Sequence, residues 1–299
     1  MKQLVVLSGK GGTGKTTVAA ALAHLASQEA SVVLADADVD AANLELLLAP
    51  EVRENHGFTG GKRAVIDVER CQGCGLCVET CRFDAIGIAQ GSTNGHARYQ
   101  VDPVACEGCA ACSYRCPEHA IRMVEQLAGR WHLSETRLGP LVHARLFAGQ
   151  ENSGKLVTRV KLKAQDVGLS EGRDYLLIDG PPGIGCPAIA ACSGSDLALV
   201  VTEPTVAGAH DLERMLGLLE HFEVPASVCI NKWDVNPKRA EGLERECAER
   251  GIAVVGRIPF DVVVTEAMVR GQAVTEASSD NPVARKLRLI WAGVRAALG

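Results

Sequence analysis

Nowhere in the 299 residues is there an uninterrupted apolar stretch of about 20, the length a bilayer-spanning helix requires; Asp, Glu, Lys or Arg breaks every candidate. The opening residues also lack the apolar run of a secretory leader, since Met1-Lys2-Gln3 leads only into Leu4 to Leu7 before glycines follow. A cytoplasmic location is therefore expected. No strong cluster of basic residues stands out, and the net charge is -5 with a pI near 5.9. Neither nucleic acid nor an anionic membrane is expected as a partner, because both are reached through local positive charge. Disorder is not indicated: 47% of residues are hydrophobic and 22% charged, which allows one large core or two smaller ones.

What the chain has in quantity is cysteine, 12 in all. In a compartment that keeps thiols reduced, that number points to metal or redox chemistry rather than disulfides. Eight of them fall in two runs: Cys71, Cys74, Cys77 and Cys81 form C-x2-C-x2-C-x3-C, and Cys106, Cys109, Cys112 and Cys116, followed by Pro117, form it again. Cys71 to Ile88 and Cys106 to Val124 also share a trailing Ala-Ile pair, Ala85-Ile86 and Ala120-Ile121, so a small module is duplicated. Zinc sites use paired C-x2-C units completed by a longer loop or by histidine, and suit these runs less well than an iron-sulfur cube.

On either side of this region the chain alternates in the α/β manner. Strands are expected at Gln3 to Ser8, Ser31 to Asp36, Tyr175 to Asp179, Leu197 to Thr202, Ala226 to Asn231 and Val254 to Ile258, with an Ala-rich helix from Lys15 to about Gln28. The rhythm predicts an α/β fold with a doubly wound, mostly parallel sheet over residues 1–60 and 129–299. Residues 61–128, with short strands, glycines and cysteines but no long helix, read as an inserted small domain.

Gly9-Lys10-Gly11-Gly12-Thr13-Gly14-Lys15-Thr16 satisfies G-x4-G-K-T between a strand and a helix. The amides of Gly11, Gly12, Thr13 and Gly14, continued by Thr17 at the helix start, can cradle phosphates. Lys15 is placed for the β- and γ-phosphates and Thr16 for magnesium. Asp36, Asp38 and Asp40 close the second strand, and aspartate there can also cap a helix. Tyr175 to Asp179 is an apolar strand ending in a carboxylate, followed by the turn Gly180-Pro181-Pro182-Gly183. Asn231-Lys232-Trp233-Asp234 matches the N-K-x-D pattern that GTPases use to read guanine, so the base is ambiguous from these residues alone.

With Lys10 early in the loop, this phosphate motif resembles the deviant Walker A of the MinD, ParA, Mrp and nitrogenase iron protein family. The resemblance implies a homodimer with ATP between the subunits, in which Lys10 reaches across to the phosphates held by the other copy. It implies that Asp38 orients the attacking water, and that Asp36 and Asp179 support the magnesium bound by Thr16, with Asp40 as the alternative to Asp38 or Asp36. The Gly183 amide is implied as the sensor of the γ-phosphate. It places Asn231, with Pro259 of Pro259-Phe260-Asp261, at adenine, which favours ATP over GTP.

The cysteine runs are similar to those of bacterial ferredoxins carrying two 4Fe-4S clusters, in which the fourth cysteine of each run serves the other cluster. By that resemblance the insert is a small α+β ferredoxin-like domain. One cluster takes Cys71, Cys74, Cys77 and Cys116, and the other takes Cys81, Cys106, Cys109 and Cys112. Arg82 departs from the pattern, standing where a proline commonly follows. Cys186, seven residues after Asp179, has the offset of the cysteine with which the nitrogenase iron protein bridges a cluster between subunits, but that family's second ligand has no counterpart here. Cys192, Cys229 and Cys247 are expected to be packing residues.

Three functions follow as expectations. The first is an ATP-gated electron carrier serving a redox or metal-cofactor protein. The second is an iron-sulfur or metallocofactor assembly carrier of Mrp type. The third is a MinD-like positioning switch whose clusters sense redox state. Pro282 to Leu298, basic and apolar by turns, is read as a helix covering the sheet rather than as a membrane anchor. Gly149 to Lys155 is read as a surface connection with no chemistry.

Overall fold

Leu4-Val5-Val6-Leu7 is apolar without alternation, as a strand with helices on both faces needs. In the computed structural model, which describes residues 1–89, 98–149 and 153–299, it is the centre of β1 (Lys2–Ser8), and all four side chains are fully buried. The strands that follow are β2 (Val32–Asp36), β3 (Glu51–Ile66), β4 (Ile86–Ile88), β5 (Tyr99–Val101), β6 (Ile121–Thr136), β7 (Gly139–Leu146), β8 (Tyr175–Pro182), β9 (Leu197–Thr202), β10 (Ala226–Asn231) and β11 (Ala253–Ile258). Nine of them form one sheet in the order β11-β10-β9-β1-β8-β2-β7-β6-β3, while β4 and β5 pair antiparallel. β1 pairs in parallel with β8 and β9, β10 with β9 and β11, and β2 with β7 and β8. The expected mostly parallel sheet is thus present.

The helices are α1 (Lys15–Ser27), α2 (Leu44–Leu48), α3 (Leu76–Thr80), α4 (Ala111–Arg115), α5 (Ser153–Ser170), α6 (Cys186–Cys192), α7 (Val206–His221), α8 (Pro237–Glu249), α9 (Val263–Val269), α10 (Val274–Ala277) and α11 (Pro282–Leu298). Leu4, Val6, Val32 and Leu34 form one core with α1, α2, α10 and α11, whereas Val33 meets Gly168 of α5, so helices cover both faces of the sheet. α11 buries Val283, Leu287, Ile290, Trp291 and Val294 in that core, and Trp291 Nε1 donates to Glu29 Oε1 at 2.5 Å. Its apolar stripe is used in packing, as its sequence pattern anticipates.

Residues Met1–His56, Trp131–Arg145 and Ser153–Gly299 form one compact unit, and Gly57–Arg130 with Leu146–Asn152 form another. The strands bounding the cysteine region are not short: β3 and β6 are 16 residues each. β3 escaped the sequence pattern because it is the edge strand of the sheet, mostly exposed, with Glu51, Arg53, Glu54, Lys62 and Arg63 and three glycines in place of an apolar alternation. Charges on an edge are tolerated and discourage further pairing. Of the connection from Gly149 to Lys155, residues 150–152 lie outside the described residues.

One buried cation braces the larger unit. Lys161 of α5, 4% exposed, donates to Ala191 O at 2.7 Å, Ser193 O at 2.6 Å and Ser195 Oγ at 3.1 Å, thereby closing the C-terminal end of α6. Burial pulls its pKa down to about 8. Lys161→Met keeps the aliphatic stem but leaves the three acceptors without their donor, and should lower the unfolding free energy by about 1–3 kcal/mol in urea titration.

Candidate functional site

The loop from residue 9 to 14 turns directly from β1 into α1. Gly12 and Gly14 have φ of 81° and 87°, in the left-handed region that glycine enters freely. At Gly14 the need is also steric, since a Cβ there would lie 2.3 Å from Asn231 Nδ2. Above the loop opens a cavity of about 610 Å3, within the range of small-ligand sites. Gly11 through Thr17 line it, together with Asp38, Asn231 and Pro259. These expected residues are brought together, and Phe260, Val264 and Met268 add an apolar wall. Lys10, Asp36, Asp179 and Gly183 do not line it.

Behind the loop is a dense charge cluster. Lys15 Nζ donates to Asp179 Oδ1 at 2.6 Å and lies 3.6 Å from Asp38 Oδ2. Lys15 is 6% exposed and Asp179 1%. Burial opposes the Lys15 charge, but Asp179, Asp38 and Asp36 outweigh it and hold its pKa above the ordinary lysine value. Burial raises Asp38, against the pull of Lys15. Asp36 is driven well above the aspartate range, first by complete burial and then by Asp179. Both Asp36 oxygens accept backbone amides, from Asp38 at 3.1 Å and Leu44 at 3.0 Å, so this carboxylate ties down the loop between β2 and α2.

Two buried polar atoms in this region have no hydrogen-bond partner among the described residues: Thr13 Oγ1 and Asp179 Oδ2. A hydroxyl in the phosphate loop and a carboxylate oxygen behind it suit, respectively, a phosphate and the water shell of a magnesium ion. The Gly183 N–H donates to Ser8 O at 2.9 Å, so the expected sensor is held on β1.

At the base end, Asn231 Nδ2 donates to Thr13 O at 2.7 Å and Asn231 Oδ1 accepts the Lys232 amide at 3.0 Å. Asp234, the carboxylate of the guanine-like pattern, accepts the Phe260 N–H at 2.8 Å. One of its two oxygens is thus engaged by the backbone of the loop after β11.

Sequence reasoning passed over Glu203, the residue after β9. Its two oxygens take Lys232 at 2.5 Å and Lys10 at 3.3 Å, and Lys232 also donates to Gly12 O at 3.2 Å. The available signal was a single carboxylate at the end of an apolar strand adjoining β1, which only the sheet order makes meaningful.

The second unit repeats its own backbone. Gly73, Gly75 and Asp84 have positive φ in one half, and Gly108, Ala110 and His119 have it at the matching places of the other. α3 and α4 each carry the third cysteine of their run at the second helical position, and the Ala85 and Ala120 amides each donate to a cysteine sulfur, Cys81 and Cys116, at 3.4 Å. A Cβ on Gly108 would sit 2.0 Å from Lys62 O, so β3 approaches the second cysteine loop too closely for any side chain. Two small hollows of equal size, about 20 Å3 each, result. Cys71, Cys74, Cys77 and Cys116 ring the first; Cys81, Cys106, Cys109 and Cys112 ring the second. Burial pushes the Cys77 and Cys112 thiols up. None of the 12 cysteines is in a disulfide. Among the described residues, no three His, Cys, Asp or Glu side chains converge as ligands of a single metal ion.

Cys186 is exposed at the start of α6, against Gly154. Cys192, Cys229 and Cys247 are buried, and burial carries the last two up to about 12 and about 11. They are packing residues, as expected.

A glycine loop between parallel strand and helix, a buried lysine facing two aspartates and a base-sized apolar wall define a P-loop nucleotide hydrolase. The chain belongs to the CobQ/CobB/MinD/ParA nucleotide-binding domain family, whose profile matches residues 4–274, and it is an ATPase of the MinD/ParA kind. It is 34% identical over 236 residues to an uncharacterized protein of Methanocaldococcus jannaschii, covering 78% of this chain and 79% of that one. To the septum site-determining protein MinD of Bacillus subtilis it is 26% identical over 232 residues, covering 77% and 64%. In fold it is similar to MinD of Pyrococcus horikoshii solved with Mg-ADP, at a TM-score of 0.59 and 19% identity over 100% of this chain and 97% of that one. Cyanothece McdA, solved with ATP, gives the same TM-score of 0.59 at 22% identity over 100% and 96%. No helix among the described residues is long and apolar enough to cross a membrane.

Proposed function

We propose that the protein is a homodimeric, magnesium-dependent ATPase whose nucleotide cycle governs electron transfer through two 4Fe-4S clusters, held by residues 61–128, toward a redox or metal-cofactor protein. The observation that carries the iron-sulfur part is the crossed thiol arrangement: each hollow is ringed by three cysteines of one run and the fourth of the other. That is the ligand pattern of two-cluster ferredoxins. Such groups supply one-electron transfer. The chain's part is to hold them with four thiolates each, to donate the Ala85 and Ala120 amides to sulfur, and to shield them with Tyr99 on one side and Phe83 and Met123 on the other. Because all eight thiols are committed to ligation, permanent clusters suit the site better than cargo delivered to another protein. That ranks the carrier reading above assembly.

In the nucleotide half, Gly11 to Gly14 embrace the phosphates, Lys15 leaves Asp179 for the β- and γ-oxygens, and Thr16 with Asp179 holds magnesium and its waters. Asp38, on the cavity wall, orients the attacking water. Asp36 acts through the loop it ties. Gly183 reports the γ-phosphate only once its bond to Ser8 gives way. The Cys186 thiol has no assigned role in this scheme.

The decisive experiment is EPR of the anaerobically purified, dithionite-reduced protein with and without magnesium-ATP. Two interacting 4Fe-4S signals that change with nucleotide are expected. Iron without a nucleotide response would favour assembly or sensing, and zinc in place of iron would sink the reading. As to the base, ATP should be turned over with a kcat/KM at least about tenfold above that for GTP, because one Asp234 oxygen is already engaged by the Phe260 amide.

A further inference from the structure

Lys10 is the residue whose position least resembles its expected task. It is not among the residues lining the cavity, and its ammonium rests 3.3 Å from Glu203 Oε2, with the side chain 35% exposed. Glu203 is not a mobile surface group. Its side chain is only 13% exposed, its carbonyl accepts the Thr205 amide at 2.8 Å, and Thr205 Oγ1 caps α7 by accepting the Gly208 N–H at 2.9 Å. The carbonyl also lies so close to Gly208 that a Cβ there would come within 2.3 Å of it. The carboxylate is therefore presented by a fixed turn at the strand end beside the phosphate loop.

One carboxylate serves two cations. Lys232 is held more tightly, at 2.5 Å, and is also anchored to Gly12 O, whereas Lys10 has, among the described residues, Glu203 as its only ion-pair partner and the longer contact. If Lys10 departs, Glu203 keeps Lys232 and no buried charge is stranded, so the exchange costs little. A triphosphate carries a denser negative charge than one carboxylate and is the natural competitor for this lysine.

We propose that Glu203 is a positioning residue that parks Lys10 beside its own loop until nucleotide phosphate presented by a second copy of the chain draws it away. The inference rests on Lys10 acting across the dimer. Glu203 thereby sets how readily two loaded copies engage.

The test uses the full-length, anaerobically purified protein. ATP turnover and light-scattering mass with a non-hydrolysable ATP analogue are followed against protein concentration for wild type, Lys10→Ala, Glu203→Gln, the double variant and Glu203→Asp. Lys10→Ala should lose dimerisation and turnover. Glu203→Gln should reach half-maximal turnover and half-dimer at a protein concentration about three- to fivefold lower than wild type, the effect of removing one partly exposed ion pair. Glu203→Asp keeps the charge for Lys232 but shortens the reach to Lys10, and should shift the same way if the amide variant folds poorly. The double variant should match Lys10→Ala. If Lys10→Ala is inactive while both Glu203 variants leave the half-maximal concentration unchanged or raise it, Glu203 only braces the loop and the parking role is wrong. If Lys10→Ala behaves as wild type, the across-dimer task of Lys10 falls first and the parking role with it.

Discussion

Lys15→Ala is expected to abolish ATP turnover, by at least about a thousandfold, while leaving the iron content of the cysteine unit unchanged. The first half follows from charge: among the described residues, Lys15 is the one cation paired with Asp179 and Asp38, and it also lines the cavity. The second follows because the eight thiols proposed to hold the clusters all lie in the other unit. A less obvious consequence concerns stability. Removing the ammonium leaves three buried carboxyl groups, Asp36, Asp38 and Asp179, without their counter-charge, which should cost about 3–5 kcal/mol at pH 8.

The sign of the pH dependence is fixed by the direction of the shifts. Burial and Asp179 already hold the Asp36 carboxyl above its ordinary value of 3.8. A carboxyl whose pKa rises on folding stabilises the native state at pH below the unfolded value and loses that contribution as pH climbs past the folded one. Without Lys15 the carboxyls lose the attraction that lowers them, so protonation relieves more of the repulsion. The deficit of the variant relative to wild type, measured by urea unfolding, should therefore be smaller at pH 5 than at pH 8. A deficit that is flat across this range would mean the three carboxylates are hydrated rather than in mutual contact.

The second large effect is expected in the cysteine unit. Cys116→Ala should remove half of the iron, and the signal lost should be that of the group bound by Cys71, Cys74 and Cys77, not that of its own run. Cys81→Ala should do the reverse, removing the group bound by Cys106, Cys109 and Cys112. Chemical iron analysis together with EPR of the reduced variants distinguishes this from a run-by-run arrangement. If Cys112→Ala and Cys116→Ala lose the same signal, the crossed assignment is refuted.

Much of the nucleotide half was legible in the sequence because its signals are local. G-x4-G-K-T, an apolar strand ending in Asp179 and an asparagine at a later strand end each declare themselves within about ten residues. What stayed hidden depended on sheet order. Glu203 becomes meaningful only because β9 lies beside β1, and the Asp234 carboxylate changes its reading only when the loop carrying Phe260 folds back onto it. Asp36 looked like its neighbour Asp38, but backbone geometry divides them: one faces the cavity and the other spends both oxygens on amides. The cysteine spacing carried its message through duplication. The long strand β3 was missed because an exposed edge rich in charge and glycine has no hydrophobic period to detect.

The exchange of Cys81 and Cys116 between the two repeats has a consequence for how this module can come into being. Each repeat carries four thiols but places only three of them around its own hollow, so in the proposed arrangement a half-module made alone would lack the fourth ligand in its place. The two halves are obliged to mature together, and a fragment ending before residue 106 would be expected to emerge from synthesis empty rather than half loaded.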